Sequence, residues 1–335
     1  MARDEGDSPR RPVIGVVVLG LLLSGLFMVV VTVGSDGGED SASDSGPGRL
    51  LYLTSDGQLI EADDRSASAS AFAVPVAARA AEPTALAPSP DGDAVAFACD
   101  PASLRPNTDG HGLCTAAGDE RARLWATALA PVRFPTWAAD GSGLTYAALD
   151  ARGHGSIWVT DGVAEPDTLC EDWCPLFSYA GLAWSPDLAT VAAVAATPGG
   201  GGHPARIVLF DVATHNFEFL TDGRNTRGLQ HNPSWSPDGD RLVFSSNADG
   251  RFDLWVAEVA TGETQRITDE AGTALNPAWS PDGERIAFTS RIDGRWQLLE
   301  VSPDGGPTET VVADGNPTRA RYVTSNALTS GPVES

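Results

Sequence analysis

Four cysteines and five histidines are the residues best able to do chemistry in this 335-residue chain. Cys99, Cys114, Cys170 and Cys174 form an even set, which suits disulfides in an oxidising compartment. Zinc held by two cysteine pairs is the alternative, but the pairs are not spaced as zinc pairs usually are. All 22 basic residues are arginine. The lack of lysine excludes Schiff-base chemistry, a Gly-Lys-Ser/Thr phosphate loop and lysine-activated serine catalysis. No G-x-S-x-G elbow occurs, so a serine peptidase of that type is not encoded. No catalytic residue, metal or cofactor is expected.

The charge narrows the partners. Arginines number 22 against 45 acids, giving a net charge of −23. A field this negative repels nucleic acid and anionic lipid headgroups. Gly (36) and Pro (24) make the chain rich in turns without reaching low-complexity levels.

Val13 to Val33 carries no charge and would span about 31 Å as a helix, one bilayer core. It exceeds the usual signal-peptide core and lacks an A-x-A-like cleavage site, so an uncleaved anchor is expected over a cleaved signal. Arg10 and Arg11 abut it on the N-terminal side, and the next base is Arg49. The positive-inside rule then puts residues 1–12 in the cytoplasm as a short tail and the rest outside the cell membrane. Residues 34–48 hold four acids and almost nothing apolar, and read as a flexible acidic linker. Residues 324–335 read as a disordered tail.

Four segments beyond it repeat: Pro135-Thr-Trp137-Ala-Ala-Asp140-Gly141, Leu182-Ala-Trp184-Ser-Pro186-Asp187, Asn232-Pro-Ser-Trp235-Ser-Pro-Asp238-Gly239 and Asn276-Pro-Ala-Trp279-Ser-Pro-Asp282-Gly283. Ser89-Pro90-Asp91-Gly92 keeps only the turn. The aligned aspartates are spaced 49, 47, 51 and 44 residues apart, a period that signals a propeller or solenoid. Each period contains alternating strands separated by Pro-Asp-Gly or Asp-Gly turns, as a four-stranded blade requires. Residues 49–335 accommodate about six such periods. Arg49–Ser55 matches the second strand of the repeat and Asn316–Arg319 the first. One blade is therefore expected to close with strands from 49–77 and a strand from 316–323, which would pair the exposed edges.

These motifs resemble the WD40-like repeat of TolB-type β-propellers, over roughly residues 49–323. The expected fold class is all-β: a six-bladed β-propeller behind a single N-terminal transmembrane helix. Pro88 and Arg319 stand where the repeat has Trp, and Leu188 where it has Gly. The resemblance implies protein–protein contact at the cell envelope. TolB itself is a soluble periplasmic protein with an α/β domain before its propeller, neither of which fits this sequence.

In this register, connections between second and third strands share a face with those between blades. A Cys99–Cys114 bridge would close the insert Asp100–Leu113, and Cys170–Cys174 would form a small ring in an inter-blade connection. His111, His154, His203 and His231 fall on the same face, and His215 on the opposite one. Eight of the nine Trp fall on repeat strands, whereas Trp173 would be an exposed anchor in the Cys170–Cys174 ring. The candidate binding residues are Trp173, His203, His231, Asn232, Asn276 and Asn316, with strand-end capping as the plainer reading of the asparagines. The expected function is an extracytoplasmic scaffold that binds an envelope protein or peptide at this loop face. A small-ligand or sugar sensor, or a metal-dependent propeller enzyme such as a polysaccharide lyase using His231, is the alternative.

Overall fold

In the computed structural model the described residues lie within 49–323, apart from 55–58, 63–69, 73–85, 92–93, 106–108, 118–121, 150–153, 176–180, 196–204, 222–227, 270–271 and 314–316. The tail 1–12, the segment 13–33, the linker 34–48 and residues 324–335 lie outside them, as do His203 and Asn316. No described helix is long and apolar enough to cross a membrane.

Alternating apolar residues between tight turns give strands almost everywhere, and the fold is an all-β propeller. The described residues form 24 strands in six four-stranded sheets. Five sheets use four consecutive strands each. They comprise β4 (Leu86–Pro88), β5 (Ala94–Cys99), β6 (His111–Ala117) and β7 (Arg123–Ala128); β8 (Val132–Trp137), β9 (Leu144–Leu149), β10 (His154–Thr160) and β11 (Asp167–Pro175); and β12 (Leu182–Trp184), β13 (Thr190–Ala195), β14 (Arg206–Asp211) and β15 (Phe217–Phe219). Next come β16 (Gln230–Trp235), β17 (Arg241–Ser246), β18 (Asp253–Glu258) and β19 (Thr264–Arg266), then β20 (Thr273–Trp279), β21 (Ile286–Ile292), β22 (Arg295–Val301) and β23 (Glu309–Val312). In the remaining sheet β24 (Pro317–Val323) pairs antiparallel with β1 (Arg49–Thr54), followed by β2 (Leu59–Ala62) and β3 (Ser70–Phe72). The first strand of each later sheet packs on the sheet before it: β8 on β4 and β5, β12 on β8, β16 on β12 and β13, β20 on β16 and β17, β24 on β20 and β21.

The turn after each first strand explains the Ser-Pro-Asp-Gly signature. The buried Ser236 hydroxyl accepts from Arg241 N at 2.9 Å and donates to Asp238 Oδ1, which also accepts from Asp240 N at 3.0 Å. Ser185–Asp187 and Ser280–Asp282 repeat the pattern. The last turn residue takes a left-handed backbone, with φ 79° at Gly239 and 76° at Gly283. Leu188 occupies that position at φ 61°, where a side chain crowds its own backbone. The core lies between successive sheets and is built of Leu, Ile, Val, Ala and Phe.

One expectation is corrected. The stretch Cys170 to Cys174 does not lie in an inter-blade connection. It lies within β11, the outermost strand of its sheet. Pairing with β10 (Ile157 to Cys170, Gly155 to Cys174) extends the ladder through a register shift, so the residues read as loop are claimed by backbone bonding. Trp173 is therefore a strand residue, and its side chain lies outside the described ones.

Leu188→Gly is expected to raise stability by about 1 kcal/mol, read from chemical denaturation, because the substitution relieves the left-handed strain. Deleting residues 316–335 removes β24, unpairing β1 and uncovering β20. The thermal transition should broaden and move down by several degrees; an unchanged transition would deny β24 that part.

Candidate functional site

The candidate site is the end of the sheets where second strands finish and third and first strands begin. Cys99 ends β5, His111 opens β6, His154 opens β10 and His231 lies near the start of β16. These residues share one face, with Cys99 disulfide-bonded to Cys114 across a Cα separation of 5.9 Å. Register explains that bridge. Cys99 stands opposite Gly112, and Cys114 is the diagonal neighbour two residues on. A Cβ on Gly112 would meet Cys99 Sγ at 2.7 Å, so the glycine makes room for the crossing. Cys170 is also disulfide-bonded, while the side chain of Cys174 lies outside the described ones. His215 sits in the β14–β15 turn at the opposite end, with Nε2 3.4 Å from Asp167 Oδ2.

At the start of β16 and β20 the first strands do something unexpected. Asn232 and Asn276 do not cap strand ends. They lie inside their strands with φ 47° and 55°, at bulges where the ladder slips (His231 to Ser234, Leu275 to Ala278). Asn tolerates the left-handed region better than most residues, and the following proline already excludes the helical one. The bulge turns the two side chains toward each other. Asn232 Nδ2 donates to Asn276 Oδ1, and Asn276 Nδ2 donates to the buried Thr289 Oγ1 at 3.2 Å. Thr289 Oγ1 donates in turn to Leu275 O at 3.1 Å. On the other side, a Cβ at Gly181 would meet Asn232 Cα at 2.6 Å. Gly181, Asn232 and Asn276 each stand three residues before the Trp of their repeat, and the two asparagines at this position make a short polar belt. Phe134 holds that position in β8, at φ 49° and buried.

His231 lies beside the belt. Its ring packs on Phe252 at 4.8 Å between centroids, and burial holds the imidazole below its ordinary value. The adjoining Gln230 is buried and accepts from Thr221 Oγ1 at 3.0 Å. Outside this pair lies a charged rim. Arg251 Nη2 is 2.7 Å from Asp269 Oδ1, and its Nε is 3.4 Å from Asp253 Oδ2. Arg266 Nη1 lies 3.4 Å from Asp249, 3.6 Å from Asp253 and 3.7 Å from Asp269. Asp253 is almost wholly buried, and burial pushes its carboxyl above the ordinary value despite the two arginines. The backbone of Phe252 ties the rim to β20 by accepting from Ala274 N at 2.8 Å.

His231, Asn232 and Asn276 are thus brought together as a group. Phe252, Arg251, Asp253, Arg266, Asp269 and Gly181 belong with them and escape the sequence reading. The one available signal was Asp249-x-Arg251-x-Asp253, alternating charge leading into a strand. No group of three or more His, Cys, Asp or Glu among the described residues is arranged to hold a metal. The arrangement presents amide donors and acceptors, an aromatic–imidazole pair and a rim of fixed charge. Such groups bind polar backbone and side chains.

The comparisons agree with this architecture. The TolB beta propeller domain family matches residues 161–327. A protein assigned as TolB from Agrobacterium tumefaciens superposes with a TM-score of 0.58 at 20% identity, over 79% of this chain and 88% of that one. TolB from Acinetobacter baumannii gives 0.63 at 16%, over 82% of this chain and 66% of that one. A chain of a nidogen/laminin complex gives 0.59 at 9%, over 83% and 99%. No curated protein matches in sequence. Residues 161–327 thus match the TolB propeller family, and the fold as a whole is TolB-like.

Two variants test the local physics. Asn276→Ala is expected to cost about 2 kcal/mol, from lost hydrogen bonds plus left-handed strain; Asn276→Gly keeps the backbone and should cost about half as much. At the opposite end, the Ser185 and Ser236 hydroxyls, then backbone N–H groups, hold the Asp187 and Asp238 carboxyls below the ordinary 3.8. A carboxyl lowered on folding adds stability above its unfolded value, and that stability is lost as pH falls through the folded one. Stability should therefore fall on acidification below about 3.8, and Ser236→Ala should flatten part of that slope in denaturation measured against pH.

Proposed function

We propose that the protein is a membrane-anchored, extracytoplasmic scaffold whose propeller binds an envelope protein or peptide at the face carrying His231, Asn232 and Asn276. In this reading the six sheets close into one ring. Residues 13–33 hold it at the cell membrane and residues 34–48 give it reach. Residues 1–12 form a short cytoplasmic tail. The observation that carries the reading is the polar belt beside the His231–Phe252 pair, on a TolB-like propeller. The charged rim adds orientation, since fixed charges steer and register a partner more than they tighten it. The net charge of −23 makes a partner with a basic contact surface the natural choice. The protein acts by binding and not by catalysis. The strand β11, which carries Cys170 and Trp173, runs to the same face.

Photo-crosslinking in cells tests this directly. A photoreactive residue at position 173 or 276 should capture a distinct envelope protein, and one at position 215 on the opposite end should not. Capture of nothing from 173 and 276, or the same protein from all three, would refute the assigned face.

A further inference from the structure

A second surface lies away from the loop face. β15 is the outermost strand of its sheet among the described residues, and all three of its residues, Phe217-Glu218-Phe219, are exposed. Register puts Phe217 opposite Phe210 and Phe219 opposite Val208, with Glu218 opposite Leu209. Phe217 and Phe219 therefore share one side of the sheet with Arg206, and Glu218 lies on the other. The two rings stand edge to face at 5.8 Å, 43% and 44% exposed, and the Arg206 guanidinium lies 3.9 Å from the centre of the Phe219 ring. Exposed Leu129, Val163 and Leu229, by contrast, stand singly in connections. Large aromatic residues at alternate positions of an edge strand are unusual, since natural edges are normally blunted. Only Glu218 does that here, and it has no ion pair among the described residues.

We infer that this edge receives an extended cationic segment of another protein, which adds a fifth strand to the β12–β15 sheet. Residues directly opposite in a ladder put their side chains on the same side. The segment therefore places apolar residues against Phe217 and Phe219 and a Lys or Arg against Glu218, an apolar–basic–apolar pattern. Main-chain bonds to β15 supply attachment, and the alternate side chains supply selectivity. The chain's net charge of −23 favours the same sign of partner. A second copy of this chain fits poorly. Pairing two β15 strands antiparallel with Phe on Phe sets Glu218 against Glu218, and like charges directly opposite destabilise a ladder.

The probe is the labelled peptide acetyl-Thr-Val-Lys-Val-Thr-Gly-amide, titrated with the full-length chain in detergent and followed by fluorescence anisotropy. Saturable binding is expected, weakened about tenfold or more by Phe217→Ser with Phe219→Ser in protein shown by its melt to be folded at the assay temperature. Glu218→Lys should turn the preference toward the same peptide carrying Glu in place of Lys. N-methylation of the peptide amides that face the edge should abolish binding. The inference is overturned by no saturable binding, by binding indifferent to these substitutions, or by self-association in sedimentation that Phe217→Ser relieves, which would assign the edge to a second copy.

Discussion

Each first strand must hydrogen-bond within its own sheet and also seat against the sheet before it. The bulge reconciles these demands. By slipping the ladder at the residue before proline, it leaves the Trp three residues later directed across the gap. Trp137 Nε1 donates to Ala87 O at 3.0 Å, and Trp235 Nε1 to Ala183 O at 3.1 Å, each reaching the first strand of the preceding sheet. The indole closes the apolar layer and satisfies a backbone carbonyl there. In the next sheet Arg241 stacks at 4.9 Å over the Trp279 ring and meets Asp304 at 3.6 Å, so a cation helps where the indole bond does not form.

The same slip creates the candidate site. The left-handed bulge position favours Gly or Asn, although Phe134 occupies it in β8, and where Asn is used its amide is available to the neighbour. The Asn232–Asn276 belt is thus a consequence of inter-sheet seating as much as a surface for a partner. Rigidity follows, because the belt, the His231–Phe252 pair and the arginine–aspartate rim are tied to adjacent strands through Thr289, Gln230 and Ala274. A partner would meet an arrangement already ordered before binding, which lowers the entropy cost of association.

Much of this was legible in residue order. The Trp-Ser-Pro-Asp-Gly spacing marks the sheets because buried Trp, serine-bonded Asp and a left-handed glycine are each demanded by one turn. Half-repeats at Arg49 and Asn316 point to the strand that pairs with β1. The Cys99–Cys114 bridge follows from strand assignment alone. Other features were hidden. Asn232 and Asn276 look like caps because the backbone angle at a pre-proline residue is not written in its type. The reach of β11 to Pro175 was hidden by Cys-Glu-Asp-Trp-Cys, which has loop composition but strand bonding. Asp253 opens β18 and is buried beside Arg251 of the preceding turn and Arg266 of β19, a meeting that residue order does not show. Phe217-Glu218-Phe219 alternates as a half-buried strand should, and only its place at the sheet edge exposes it.

The central claim is that first strands are locked to one another through the bulge. A double-mutant cycle on Asn232→Gly and Asn276→Gly tests it most directly, because glycine keeps the left-handed backbone and removes only the side-chain bond. The account predicts a coupling of about 1 kcal/mol in unfolding free energy. Strict additivity of the two single changes would contradict it.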